Sequence, residues 1–186
     1  AYSKKISESN LGDFRFLTLT SYYPHKDLEI IPRIADILES RGIRDVKFVL
    51  TLKEEDFKSR LEDHPQIINI GPVPINEAPS IYQECNAMFL PSLAECFSAS
   101  YAEAMRSNKP IITTDMGFAK SVCGNAALYY EPVNALKATD AIIRLIQDKP
   151  LQETLIKNGQ AQLKTFDTPK ERAAKYLEIC AELSAP

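Results

Sequence analysis

The feature that most constrains this chain is an alternation. Six short apolar runs fall at residues 14–20, 46–52, 67–70, 87–90, 111–114 and 127–130. The segments between several of them carry apolar residues at helical spacing. In the first such segment, residues 27–41, Leu28, Ile31, Ile34, Ala35 and Leu38 line one helical face, with Asp27 as the N-cap and Gly42 as the stop. Residues 53–61 predict a short polar helix whose first turn, Glu54, Glu55 and Asp56, complements the helix dipole. Residues 78–84 predict a small helix, and three more close the chain at 135–147, 151–164 and about 168–183. Strands alternating with helices require a mostly parallel sheet, because parallel neighbours need long crossovers. The expected fold is a single α/β domain over residues 1–186, Rossmann-like and doubly wound, with helices on both faces and a helical C-terminal tail. In such sheets ligands lie beyond the strand C-termini. The loops that reach this edge are 21–26, 71–76, 91–100 and 115–118.

Composition narrows the function. The chain has 186 residues, enough for one well-buried domain, with 45% hydrophobic and 25% charged residues. A net charge of −3 argues against a nucleic-acid partner, and no apolar run is long enough to span a membrane. Cys85, Cys96, Cys123 and Cys180 have neither zinc nor disulfide spacing and read as reduced thiols of a cytoplasmic protein. With only His25 and His64 and no Asp-x-Asp triplet, no metal is expected. The start, Ala-Tyr-Ser-Lys-Lys, has neither an initiator Met nor a hydrophobic leader, so the sequence reads as a piece of a longer protein.

The segment from Met88 to Met105 concentrates the chemistry. An apolar strand is stopped by Pro91-Ser92, and a small-residue loop then opens into an alanine-rich helix. A helix start directed at the ligand edge presents free backbone N–H groups to an anion. Two carboxylates frame the loop, Glu95 and Glu103. Glu103 has two readings. It completes a Ser-x-x-Glu capping box with Ser100 and an ion-pair spacing with Arg106, or it accepts from a ribose diol beside a phosphate site. Glu95 is either solvated or faces a sugar hydroxyl. Lys26, just after the first strand, is a candidate diphosphate partner that His25 would assist. No Gly-x-Gly-x-x-Gly or P-loop motif is present. Cys96 has no neighbouring base in sequence to make it a nucleophile.

Pro91-Ser92, Glu95, Phe97, Glu103-Ala104-Met105, Lys109-Pro110-Ile111-Ile112 and Asp115 together resemble the Pro-Ser…Glu-x7-Glu-Ala signature of the group 1 (family 4) retaining glycosyltransferases of GT-B fold. Pro24-His25-Lys26, Ile70-Gly71-Pro72-Val73 and Ala126 to Pro132 extend the resemblance over nearly the whole chain. It implies the C-terminal, donor-binding domain of a two-domain enzyme, with an N-terminal acceptor-binding domain upstream. The donor would be a UDP- or GDP-sugar, with no cofactor and no metal. By the same resemblance Glu95 and Lys26 are catalytic: Glu95 contacts the donor sugar and Lys26 neutralises the leaving diphosphate. Glu103 would hold the ribose, and Phe97, Ser98, Ala99, Ser100, His25, Ser21, Val73 and Gly117 complete the donor site. Membrane contact would belong to the full-length protein. Two positions depart from the family pattern: Ser21 stands where an arginine is usual, and Cys96-Phe97-Ser98 stands for Gly-Phe-Gly. The rival readings are one half of a GT-B sugar-nucleotide epimerase and a non-catalytic Rossmann-like interaction module.

Overall fold

A computed structural model describes Ile6, residues 12–61 and residues 63–184. The stretch Ala1 to Lys5, on which the absence of a leader was read, lies outside the described residues. Six strands form one sheet: β1 (Phe14–Thr18), β2 (Val46–Leu50), β3 (Ile67–Asn69), β4 (Ala87–Leu90), β5 (Ile111–Thr114) and β6 (Ala127–Tyr130). Every pairing is parallel and the strand order is β3-β2-β1-β4-β5-β6. The order reverses direction between β1 and β4, which is the switch point of a doubly wound sheet. Among the described residues eight α-helices accompany the strands: α1 (Ile30–Ser40), α2 (Glu54–Arg60), α3 (Ala78–Glu84), α4 (Ala99–Arg106), α5 (Gly117–Cys123), α6 (Ala135–Gln147), α7 (Lys149–Leu163) and α8 (Pro169–Ser184).

Strand side chains alternate between faces, and here that alternation divides the core in two. Phe16, Phe48, Phe89 and Ile112 join the residues of α1, α2 and α6. Leu17, Val49, Met88 and Ile111 join those of α3, α4 and α5. Both faces of the central strands are therefore dry, which explains why β4 reads as a continuous apolar run.

Three local expectations change. The periodicity starts the first helix at Asp27, but α1 begins at Ile30. Pro24–Lys26 forms a 3-10 turn first, and Asp27 follows it in the left-handed region, φ 49° and ψ 41°. Proline at the head of a turn presets its φ, so the chain coils early and must reverse before α1 can start. Gly42 does close this helix, at φ 78°, with its N–H on the Glu39 carbonyl at 2.9 Å. The second change is α5, a helix of seven residues where only the loop 115–118 was expected. The third is the capping box at Ser100 and Glu103, which does not form. Helix α4 starts at Ala99, with Ser98 in the cap position. Ser100 is then already in the first turn and Glu103 in the second, too late for the reciprocal bonds of a box. Ser100 Oγ donates instead to the Leu19 carbonyl at 3.3 Å, and Glu103 engages Tyr82 rather than Arg106.

Burial separates the four thiols. Cys85 and Cys123 are buried, and burial pushes both up to about 12, whereas Cys96 and Cys180 are exposed. Thiolate is the reacting form, so two thiols are expected to react rapidly with Ellman's reagent in the folded chain and four in denaturant. A third fast thiol would show that α3 or α5 opens readily.

Candidate functional site

The site is built where β1 and β4 part. Residues following β1 lead through the 3-10 turn to Lys26; residues following β4 lead through Pro91 and Ser92 to Glu95. A backbone bond ties the two loops together, with Leu93 N–H donating to the His25 carbonyl at 2.7 Å. Across this tie Lys26 Nζ and Glu95 Oε1 form an ion pair between residues 69 apart in sequence. Their side chains are 11% and 10% exposed, so the pair is shielded enough for its charges to act strongly. Ser92 Oγ also donates to Glu95 Oε1, at 2.9 Å. Thr114 at the end of β5 donates to the Ser92 carbonyl at 2.5 Å, anchoring the loop to the neighbouring strand.

The remaining expected residues divide into groups. Ser21 and Val73 share the walls of a cavity of about 210 Å³ with Leu19, Thr20, Thr51 and Pro72. Thr20 and Thr51 are joined twice, at 3.1 Å each, so the C-terminal ends of β1 and β2 stay side by side beyond the sheet. Phe97, Ala99 and Glu103 line a larger cavity of about 610 Å³ between α4 and the segment leading into α8. Glu103 also borders a third cavity, of about 370 Å³, between α3 and α4. Its Oε2 accepts from the Tyr82 hydroxyl at 3.3 Å, and burial, and after it the Glu103 carboxylate, push the Tyr82 phenol well above its ordinary range. Ser98 is buried at the start of α4. His25 gives its backbone carbonyl to the site, while its exposed ring stacks on Tyr23 at 5.6 Å. Gly117 opens α5 and lies exposed at the end of the Asp115–Met116 connection.

The structure thus unites Lys26 with Glu95, and Ser21 with Val73, and sets Glu103 on α4 with Phe97 and Ala99. Sequence reasoning missed three contributors. In the sequence Ser92 reads as a strand stop and as part of the Pro-Ser signature, with no contact assigned to it; Thr51 falls within an expected strand and Tyr82 within an expected helix. A Pro-Ser followed three residues later by a carboxylate was the available signal for Ser92. Nothing local points to Thr51 or Tyr82, whose partners are supplied by other elements.

An all-parallel sheet of this order defines a Rossmann-like, doubly wound domain, and here a cation and a carboxylate meet at its switch point. Residues 2–162 match the model of the family described as glycosyl transferases group 1, and the chain belongs to that family. It is 29% identical over 166 residues to an uncharacterized glycosyltransferase of Methanocaldococcus jannaschii, covering 87% of this chain and 46% of that protein. It is 25% identical over 169 residues to the O-antigen chain mannosyltransferase RfbU of Salmonella typhimurium, with the same 87% and 46% coverage. The chain therefore spans about half the length of the curated relatives it matches. Among solved structures it resembles a sucrose-phosphate synthase of Thermosynechococcus elongatus, with a TM-score of 0.76, 18% identity, and 92% and 45% of the two chains covered. It also resembles the C-terminal domain of a group 1 glycosyl transferase, LpcC, of Francisella tularensis, with a TM-score of 0.67, 22% identity, and 83% and 86% covered. A third neighbour is the Anabaena protein HepE in complex with UDP and glucose, with a TM-score of 0.74, 18% identity, and 92% and 49% covered. Among the described residues no helix is long and apolar enough to cross a membrane.

Proposed function

We propose that this chain is the donor-binding, C-terminal half of a retaining glycosyltransferase that takes a UDP- or GDP-sugar and passes a hexose to a glycan or polysaccharide precursor. The observation that carries the proposal is the Lys26–Glu95 pair over the β1/β4 switch point. A leaving nucleoside diphosphate needs a cation at its phosphates, and Lys26 supplies one from a shielded position. The pair must open for this: the diphosphate takes over Lys26, and Glu95 is released to face the donor sugar. A carboxylate there stabilises the positive character that develops at the anomeric carbon. The first amides of α4, from Ala99 onward, add a partial positive charge toward the same edge. Glu103 serves the ribose hydroxyls, and the Ser21–Val73 cavity receives the adjoining nucleoside. No cofactor or metal enters this scheme.

Support for an upstream partner domain comes from where apolar surface is left open. Tyr23, Ile75, Phe97, Val133 and Leu136 are between 49% and 88% exposed, and all follow the C-terminal ends of strands, on the edge where the donor would sit. Every described side chain of α8 is exposed, with Tyr176, Leu177, Ile179 and Leu183 among them. Surface of this kind marks an interface, and the missing half of the relatives' length is the natural occupant. The neighbour that is itself a C-terminal domain and the neighbour bound to UDP and glucose point the same way. Membrane contact, where it occurs, would be peripheral and would belong to the full-length protein.

The test uses the full-length protein. Calorimetric titration is expected to show binding of UDP or GDP, and proton NMR of the product is expected to show the anomeric configuration of the donor. Glu103→Gln is expected to weaken nucleotide binding by roughly tenfold, the cost of about one charged hydrogen bond to a hydroxyl. Absence of binding to either nucleotide, or a product of inverted configuration, would sink the proposal.

A further inference from the structure

The turn that delivers Lys26 contains a contradiction. Asp27 adopts the left-handed conformation, φ 49° and ψ 41°, which side chains other than glycine, asparagine and aspartate rarely tolerate. Its Oδ2 is buried and has no hydrogen-bond partner. Tyr130, at the C-terminal end of β6, is 4% exposed, and its hydroxyl is buried and likewise without a partner. The two groups feel each other: after burial, the charge of Asp27 is the next cause that holds the Tyr130 phenol above its ordinary range. Burial, and then Glu29, hold the Asp27 carboxyl above the usual carboxylate range, while Arg33 opposes them. Two buried polar atoms without partners are costly, and a hydroxyl and a carboxyl are natural partners for each other.

Their placement bears on Lys26. The Asp27 N–H closes the 3-10 turn on the Pro24 carbonyl at 3.3 Å, and the Asp27 carbonyl accepts from Ile30 at the head of α1 at 3.2 Å. Asp27 is thus the joint between the Lys26 turn and a helix rooted in the core. Tyr130 stacks on Phe89 of β4 at 5.8 Å, 12° from parallel, and β4 leads on to Glu95. A link between Asp27 and Tyr130 therefore ties the Lys26 side of the switch point to the Glu95 side.

We propose that Asp27 and Tyr130 are positioning residues: the Asp27 carboxyl, through its buried Oδ2, and the buried Tyr130 hydroxyl hold the left-handed turn in the setting from which Lys26 reaches Glu95 and the donor diphosphate. The link is a hydrogen-bonded bridge through one water from the Tyr130 hydroxyl to the Asp27 carboxyl. The role for Lys26 rests on the glycosyltransferase reading above; the effect on the Lys26–Glu95 geometry does not.

The test compares Asp27→Gly, Asp27→Asn and Tyr130→Phe in the full-length protein. Glycine keeps the left-handed turn at no steric cost and removes the carboxyl, so loss of the backbone conformation is not confounded with loss of the group. Asp27→Gly and Tyr130→Phe are each expected to lower kcat about tenfold with donor KM within about twofold, as a small misplacement of a catalytic group does. The double variant should be no worse than either single one, and Asp27→Asn should retain activity within about threefold because it still accepts a hydrogen bond. Crystal structures supply a readout independent of activity: the Lys26–Glu95 pair should open in Asp27→Gly and remain in Asp27→Asn. An intact pair in Asp27→Gly, unchanged kcat, or additive losses would overturn the proposal. A wild-type protein that transfers no sugar, with the pair nonetheless opened in Asp27→Gly, would overturn the proposed function and leave the positioning link standing.

Discussion

Replacing Lys26 with alanine in the full-length protein is expected to lower kcat by about 10²–10³-fold, the loss typical of a preorganised charge aimed at a developing anion. The effect is large because the site is shielded. Lys26 and Glu95 are 11% and 10% exposed, so solvent replaces little of what the ammonium contributes. A second consequence follows from the pairing. Without Lys26, the Glu95 carboxylate keeps only the Ser92 hydroxyl, at 2.9 Å, as a partner in this loop. Breaking a largely buried pair from one side is expected to cost about 3 kcal/mol of stability, visible as a lower melting temperature. Lys26→Ala combined with Glu95→Gln should recover much of that stability, since no buried charge is left alone, and recover none of the activity. Steady-state kinetics and thermal melts on the two variants separate the roles. A kcat within threefold of wild type would remove Lys26 from the reaction, and a double variant as unstable as the single one would remove the charge argument.

The second large effect is on folding. Phe89 is fully buried in β4, edge-on to Phe48 at 5.7 Å and stacked with Tyr130 at 5.8 Å. Phe48 in turn stacks with Phe16 at 5.8 Å, so the aromatic row crosses β2, β1, β4 and β6 on one face of the sheet. Phe89→Ala removes an inner member of that row and leaves a cavity that rigid strands on both sides resist closing. It is expected to destabilise the chain by about 3–5 kcal/mol. Urea denaturation followed by circular dichroism checks this through the transition midpoint at unchanged slope. A loss below about 1 kcal/mol would mean that the core repacks around the gap.

Particular residues show how far local reading reaches. Leu28, Ile31, Ile34 and Leu38 announce a helix by spacing alone, and that helix is present. Its start was misplaced because a proline-led turn and a left-handed aspartate intervene, and neither alters the apolar spacing. The pattern Ser100-x-x-Glu103 suggests a cap, but the path from Pro91 to Ser98 starts the helix two residues earlier, which only the tertiary course of the loop decides. Helix α5 is hidden in the sequence because it opens on Gly117, and Asp115-Met116-Gly117 reads as a turn rather than a helix start. At the site, Lys26, Glu95 and Glu103 were recognisable as residues. That Lys26 meets Glu95, while Glu103 meets Tyr82, was not.

By itself the sequence determined the alternation of strands and helices, the parallel doubly wound sheet, the loops on its C-terminal edge and the family signature between Pro91 and Asp115. These are carried by periodicity, turn chemistry and motif spacing, all properties of contiguous residues. Tertiary structure alone decided that β1 lies beside β4, and with it which charges pair and which cavities Ser21, Val73 and Glu103 line. Those outcomes depend on pairing between elements tens of residues apart, where the contact energy is set by both faces at once and neither segment records its partner.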